Sequence, residues 1–97
     1  MVQIKDLNGN VIFKSYAKSA SSADFQFADL RNADFRNIDA GYALFGDAII
    51  EGADFSGANL CGTRLSEEYL SEHGAKYYEK TIFGTFPTEV YRRPCWM

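Results

Sequence analysis

The sequence predicts an all-β fold: a solenoid of square cross-section over residues 18–67, closed below by an N-terminal hairpin and above by a short helix. Three observations predict it. Apolar residues recur every five positions through half of the chain. An Asn8-Gly9 pair separates two apolar runs near the N-terminus. Ser66, followed by Glu67 and Glu68, opens a stretch of helical spacing where the period of five fades.

The N-terminal element comes first. Val2-Gln3-Ile4-Lys5-Asp6-Leu7 and Asn10-Val11-Ile12-Phe13-Lys14 flank Asn8-Gly9, a pair suited to the positive φ angles of a two-residue hairpin turn. A hairpin within residues 1–17 is expected to cover the lower end of the coil, whose exposed edge would otherwise invite pairing.

The coil comes next. From Lys18 to Glu67 the chain divides into ten fives: KSASS, ADFQF, ADLRN, ADFRN, IDAGY, ALFGD, AIIEG, ADFSG, ANLCG and TRLSE. The third position is large and apolar in eight of ten, the first is alanine in seven, and the second is Asp or Asn in six. A period of five over 50 residues matches neither the 3.6 of a helix nor the 2 of a strand. First and third residues face inward and the rest outward, so the chain turns a corner every five residues. Four fives close a square, and successive coils stack about 4.8 Å apart through backbone hydrogen bonds.

Stacking every twenty residues makes four inward columns: Ala20/Ala40/Leu60, Phe25/Phe45/Leu65, Leu30/Ile50 and Phe35/Phe55. Both small centres share one column, and Ile38 beside Ala40 replaces the usual alanine, which keeps the interior volume nearly constant. Outside, Arg31 is expected over Glu51 and Asp34 over Asp54, an attraction and a like-charge contact respectively.

The upper end follows. Ser66 is a good N-cap, the two glutamates sit at the positive end of the helix dipole, and Gly74 is a natural stop, so a helix is expected over 67–73. Residues 75–97 hold Tyr77, Tyr78, Ile82, Phe83, Phe86, Tyr91 and Trp96, too apolar for a free tail. The chain is thus read as a single domain, 1–97, made of a hairpin cap (1–17), the repeats (18–67) and a helical and aromatic cap (68–97).

The tract Ala28-Asp29-Leu30-Arg31-Asn32, Ala33-Asp34-Phe35-Arg36-Asn37 and Ala53-Asp54-Phe55-Ser56-Gly57 resembles the pentapeptide repeat family, over roughly half of the chain. The resemblance implies a right-handed quadrilateral β-helix, here of about 2.5 coils at ten fives. It also implies a non-enzymatic protein: some members of that family resemble duplex DNA in shape and charge and act on DNA gyrase.

Composition narrows the function further. The net charge is −3, and residues 28–67 hold all of the net acidity, at −4. No basic stripe is present, so direct nucleic-acid binding is disfavoured. No apolar run reaches the ~18 residues of a membrane span. Cys61, Cys95 and His73 are too few for a four-ligand thiol and imidazole zinc site, and two distant cysteines suggest incidental thiols in a reduced, cytoplasmic protein. Neither cysteine has a base to activate it in any motif, and His73 reads as a helix-end residue. The outward aspartates read first as bonds to corner backbone, not as acid/base pairs. No cofactor and no metal is expected.

What remains is a binding surface. The expected partner is a host protein that handles nucleic acid, such as a nuclease complex of antiviral defence or a topoisomerase, met by a modulator of phage or bacterial type. The residues expected to meet it are Asp29, Asp34, Asp39, Asp47, Glu51 and Asp54. The alternative is an assembly module, a homodimer through Tyr91 and Trp96, in which the acids only confer solubility.

Overall fold

Val2 and Ile4 alternate with Gln3 and Lys5, and this pattern sets which face of the first strand is covered. In the computed structural model, which describes residues 2–77 and Thr81, Val2 and Ile4 are buried and their neighbours are exposed. Strand β1 (Val2–Lys5) pairs antiparallel with β2 (Val11–Ser15), with Gln3 opposite Lys14 and Ile4 opposite Phe13. The connection is wider than a two-residue turn. Asp6 Oδ1 accepts the N–H groups of Asn8 and Asn10, both at 2.9 Å, and the ladder becomes irregular between Ile4 and Lys5. The Asp6 carboxylate organises a five-residue loop around Gly9, so the first strand ends two residues early and the second starts and ends one residue later than expected.

The period of five is a repeating turn. The carbonyl of each third-position residue accepts from the N–H three residues on, as in Phe25 to Ala28 at 3.1 Å and Phe45 to Ala48 at 3.0 Å. Just before each corner one residue is left-handed: Ser22, Phe27, Asn32, Asn37, Tyr42, Asp47, Gly52, Gly57 and Gly62, with φ between 57° and 75°. The next left-handed residue, Arg64, comes two positions after Gly62 instead of five, and there the repeat ends.

Successive coils pair at a spacing of twenty. Parallel bridges join Asp24 to Leu44, Asp29 to Ile49, Asp34 to Asp54 and Asp39 to Asn59. Each is a reciprocal exchange, as where Leu30 N–H donates to the Ile49 carbonyl at 2.7 Å and Ile49 N–H to that of Ala28 at 2.9 Å.

The interior follows the expected columns. Phe25 stacks on Phe45 at 5.0 Å and Phe35 on Phe55 at 4.9 Å, and rings in different columns meet edge to face. Leu30, Ile50 and Leu60 are fully buried beside them. Burying each large side chain stabilises by about 1.5–3 kcal/mol, and the ring pairs add to that. Ala40 is buried and Ile38 half-buried against the core, so the exchange of large for small is partial.

Both ends are closed. Below, Phe13 lies against Phe25 at 4.8 Å, Leu7 N–H donates to the Asn32 carbonyl and Asp34 N–H to that of Lys5. Above, helix α1 (Glu67–Glu72) starts at Ser66, whose Oγ accepts from Tyr69 N–H at 3.1 Å. Its one buried residue, Leu70, belongs to the hydrophobic core. After Gly74 the chain returns to the coil: Phe55 N–H donates to the Lys76 carbonyl at 2.8 Å, and Lys76 N–H to that of Ala53 at 2.7 Å. This rung is offset by two residues from the twenty-residue count, because Lys76 pairs with Asp54. Among the described residues no helix is long and apolar enough to cross a membrane.

Candidate functional site: the outward surface of the coil

In six of the ten fives the second position is Asp or Asn, which supplies an acceptor that the corner needs. Its Oδ1 takes the backbone N–H two residues on: Asp24 from Gln26, Asp29 from Arg31, Asp34 from Arg36, Asp39 from Gly41, Asp54 from Ser56 and Asn59 from Cys61, all between 2.9 and 3.2 Å. These N–H groups face outward with no backbone partner, so the side chain completes the turn. The corner role read from the sequence is the observed one.

The six acids expected to bind a partner divide into two kinds. Asp29 and Asp34 are each gripped through both oxygens by the arginine two residues on, with Arg31 Nη2 at 2.7 Å and Arg36 Nη2 at 2.9 Å. These guanidinium bonds hold both carboxyls below the ordinary carboxylate range. Glu51 and Asp54, one coil on, add a weaker electrostatic attraction to Arg31 and Arg36 respectively. Asp39, Asp47, Glu51 and Asp54 make no ion pair among the described residues. Asp39 Oδ1 also accepts from Asn59 Nδ2 at 3.0 Å. The positions that carry these acids occur on successive sides of the coil, so the six do not gather into one patch. Tyr91 and Trp96 lie outside the described residues.

His73 caps α1: its Nδ1 lies 2.8 Å from the Tyr69 carbonyl and its ring stacks on that tyrosine at 4.0 Å. Among the described residues no group of three or more His, Cys, Asp or Glu is placed to hold a metal ion. Cys61 departs from the expectation of an incidental outward thiol. It is 3% exposed and disulfide-bonded; the other cysteine of the sequence, Cys95, lies outside the described residues. The carbonyl of Cys61 accepts the N–H of Tyr42 on the coil below at 2.6 Å.

Sequence reasoning passed over an apolar set on the outside. Phe27 is 77% exposed, Tyr42 54%, Leu44 50% and Ile49 45%. Leu44 and Ile49 occupy second positions, which hold Asp or Asn in six of the ten fives, and the apolar substitution there was the available signal. Beside Leu44 runs a groove of about 590 Å³ lined by Tyr42, Gly46, Thr63, Arg64 and Tyr69.

A comparison with protein families matches this chain to Pentapeptide repeats, eight copies over residues 19–37 and 28–67, together half of its length. No curated protein and no solved structure matches it.

Proposed function

Since the chain belongs to the pentapeptide repeat family, whose coils are β-helical solenoids and generally protein-interaction modules, we propose that it is a modulator that binds a host protein and acts without catalysis. In this reading the coil is a right-handed quadrilateral helix of about 2.5 turns, and its acids occupy a basic groove on a partner that handles nucleic acid. The observation that carries the reading is the clamping of the second-position acids. Each is fixed by a backbone N–H on a packed stack of phenylalanines, so the surface is preformed and loses little entropy on docking. Asp29 and Asp34 spend their charge on arginines, so this reading rests on the clamped Asp39 and Asp54, together with Asp47 and Glu51 at other positions of the repeat.

In this reading the protein works in the cytoplasm of a host cell; the Cys61 disulfide runs against the expected reduced protein, since disulfides are rare in that compartment. The test is capture of the partner from bacterial lysate, then its titration against the full chain in increasing salt. The expected result is loss of affinity by tenfold or more between about 0.05 and about 0.5 M salt. Asp39→Asn with Asp54→Asn, which keeps the corner hydrogen bonds as Asn59 does, should lower affinity at low salt. Affinity indifferent to both would contradict the reading.

A further inference from the structure

Two exposed surfaces of this molecule complement each other, and we propose that copies of the chain associate head to tail, the hairpin of one seated in the groove of the next. The hairpin supplies a basic, partly apolar head. Its register turns Val2, Ile4 and Phe13 toward the core and leaves Gln3, Lys5, Val11 and Lys14 on the outer face. Tyr16 follows directly and is 93% exposed, next to the exposed Lys18. None of these lysines is in an ion pair among the described residues.

The coil supplies the receptacle. The groove beside Leu44 is lined by Tyr42 and Tyr69, and Phe27 extends the apolar surface below Asp47. Asp24 pairs directly beneath Leu44, and neither Asp24 nor Asp47 has an ion-pair partner among the described residues. Arg64 also lines the groove; the acids that complement the cationic head are Asp24, paired with the lining residue Leu44, and Asp47, next to the lining residue Gly46. A nearly naked tyrosine with lysines at its flanks is a suitable anchor: it carries large contact area on few rotatable bonds and keeps a polar tip. The contact joins two different patches, so it propagates as a chain or closes as a ring. It goes beyond the partner binding proposed above, shares Asp47 with it and does not use Asp39, Glu51 or Asp54.

Sedimentation velocity of the full chain, from about 5 to about 500 µM, tests it at low and high salt. The expected result is a mass that rises above the monomer with concentration and falls back in about 0.5 M salt. Tyr16→Ser should weaken association at least tenfold. Lys14→Glu with Lys18→Glu, and separately Asp24→Lys with Asp47→Lys, should each be monomeric, while their equimolar mixture associates again. Circular dichroism checks that each variant is folded; if the coil variant is not, Tyr16→Ser and the lysine pair decide. A monomer at every concentration overturns the proposal. So does association that survives Tyr16→Ser and the lysine reversals, as contact through residues 78–97 would.

Discussion

Two regions of the coil rest on the same interior and differ outside. One, which spans two successive sides, carries Asp29 with Arg31 and Asp34 with Arg36, each a two-point ion pair. The other carries Phe27, Tyr42 and Leu44, apolar and exposed. Behind the first, Phe35 and Phe55 stack at 4.9 Å; behind the second, Phe25 and Phe45 stack at 5.0 Å. The interior therefore sets the frame and leaves the outer side chains free to differ. The corners differ as well. In the regular region the left-handed residues are Asn32 and Asn37 under Gly52 and Gly57, residues that accept positive φ readily. In the irregular region they are Phe27 and Tyr42, for which that conformation costs about 1–2 kcal/mol each.

The comparison breaks most visibly in the core. Phe35→Ala and Phe45→Ala should each lose about 3–5 kcal/mol in urea unfolding, and by similar amounts, because the two columns pack alike. A loss confined to one would mean that the regions do not share an interior. Breaking the Cys61 disulfide with reductant should lower stability by about 2–4 kcal/mol, and amide exchange at Tyr42, bonded to the Cys61 carbonyl at 2.6 Å, should quicken more than at Asn37.

Glycines sharpen the contrast between corners. A Cβ at Gly52 would stand 2.2 Å from Asn32 Oδ1, and one at Gly62 would stand 2.4 Å from Tyr42 Cδ1, both at positive φ. Either Gly→Ala change should cost about 1–3 kcal/mol by thermal unfolding. Phe27→Asn should do the reverse and add up to about 1 kcal/mol, since asparagine tolerates the left-handed corner that phenylalanine resists.

The smallest effect is in acid. The folded carboxyls of Asp29 and Asp34 lie below their ordinary value of 3.8, chiefly through hydrogen bonds from Arg31 and Arg36. Their contribution is therefore complete above that value and is lost as pH falls through the depressed one. Asp34→Asn should flatten the loss of stability below about pH 4, with little change at pH 7 beyond that of a surface ion pair.

Most of the frame was legible in the sequence because a repeat states each inward position several times. Ala23, Ala33 and Ala53 with Phe25, Phe35 and Phe55 make one argument three times, and the four columns follow from it. The hairpin, the corner aspartates and the Ser66 cap rest on local chemistry and were legible for that reason. What was not legible depends on contacts between distant residues or on single departures from the repeat. The Ala75–Tyr77 rung lies two residues out of count because α1 uses up chain at a different rise per residue. The Asp6 loop displaced a strong Asn-Gly turn signal through one carboxylate. Arg31 and Arg36 reach the acids of their own pentapeptides, which pattern alone did not distinguish from reaching the next coil. The apolar groove arose where Leu44 and Ile49 broke the repeat, and a reading that favoured the rule passed over the exceptions.

Ring-to-ring nuclear Overhauser effects on the full chain test the central claim, that residues twenty apart lie one above the other. The account predicts strong contacts of Phe25 with Phe45 and of Phe35 with Phe55, persisting in high salt. Absence of both, in a chain whose amide spectrum is well dispersed, would contradict it.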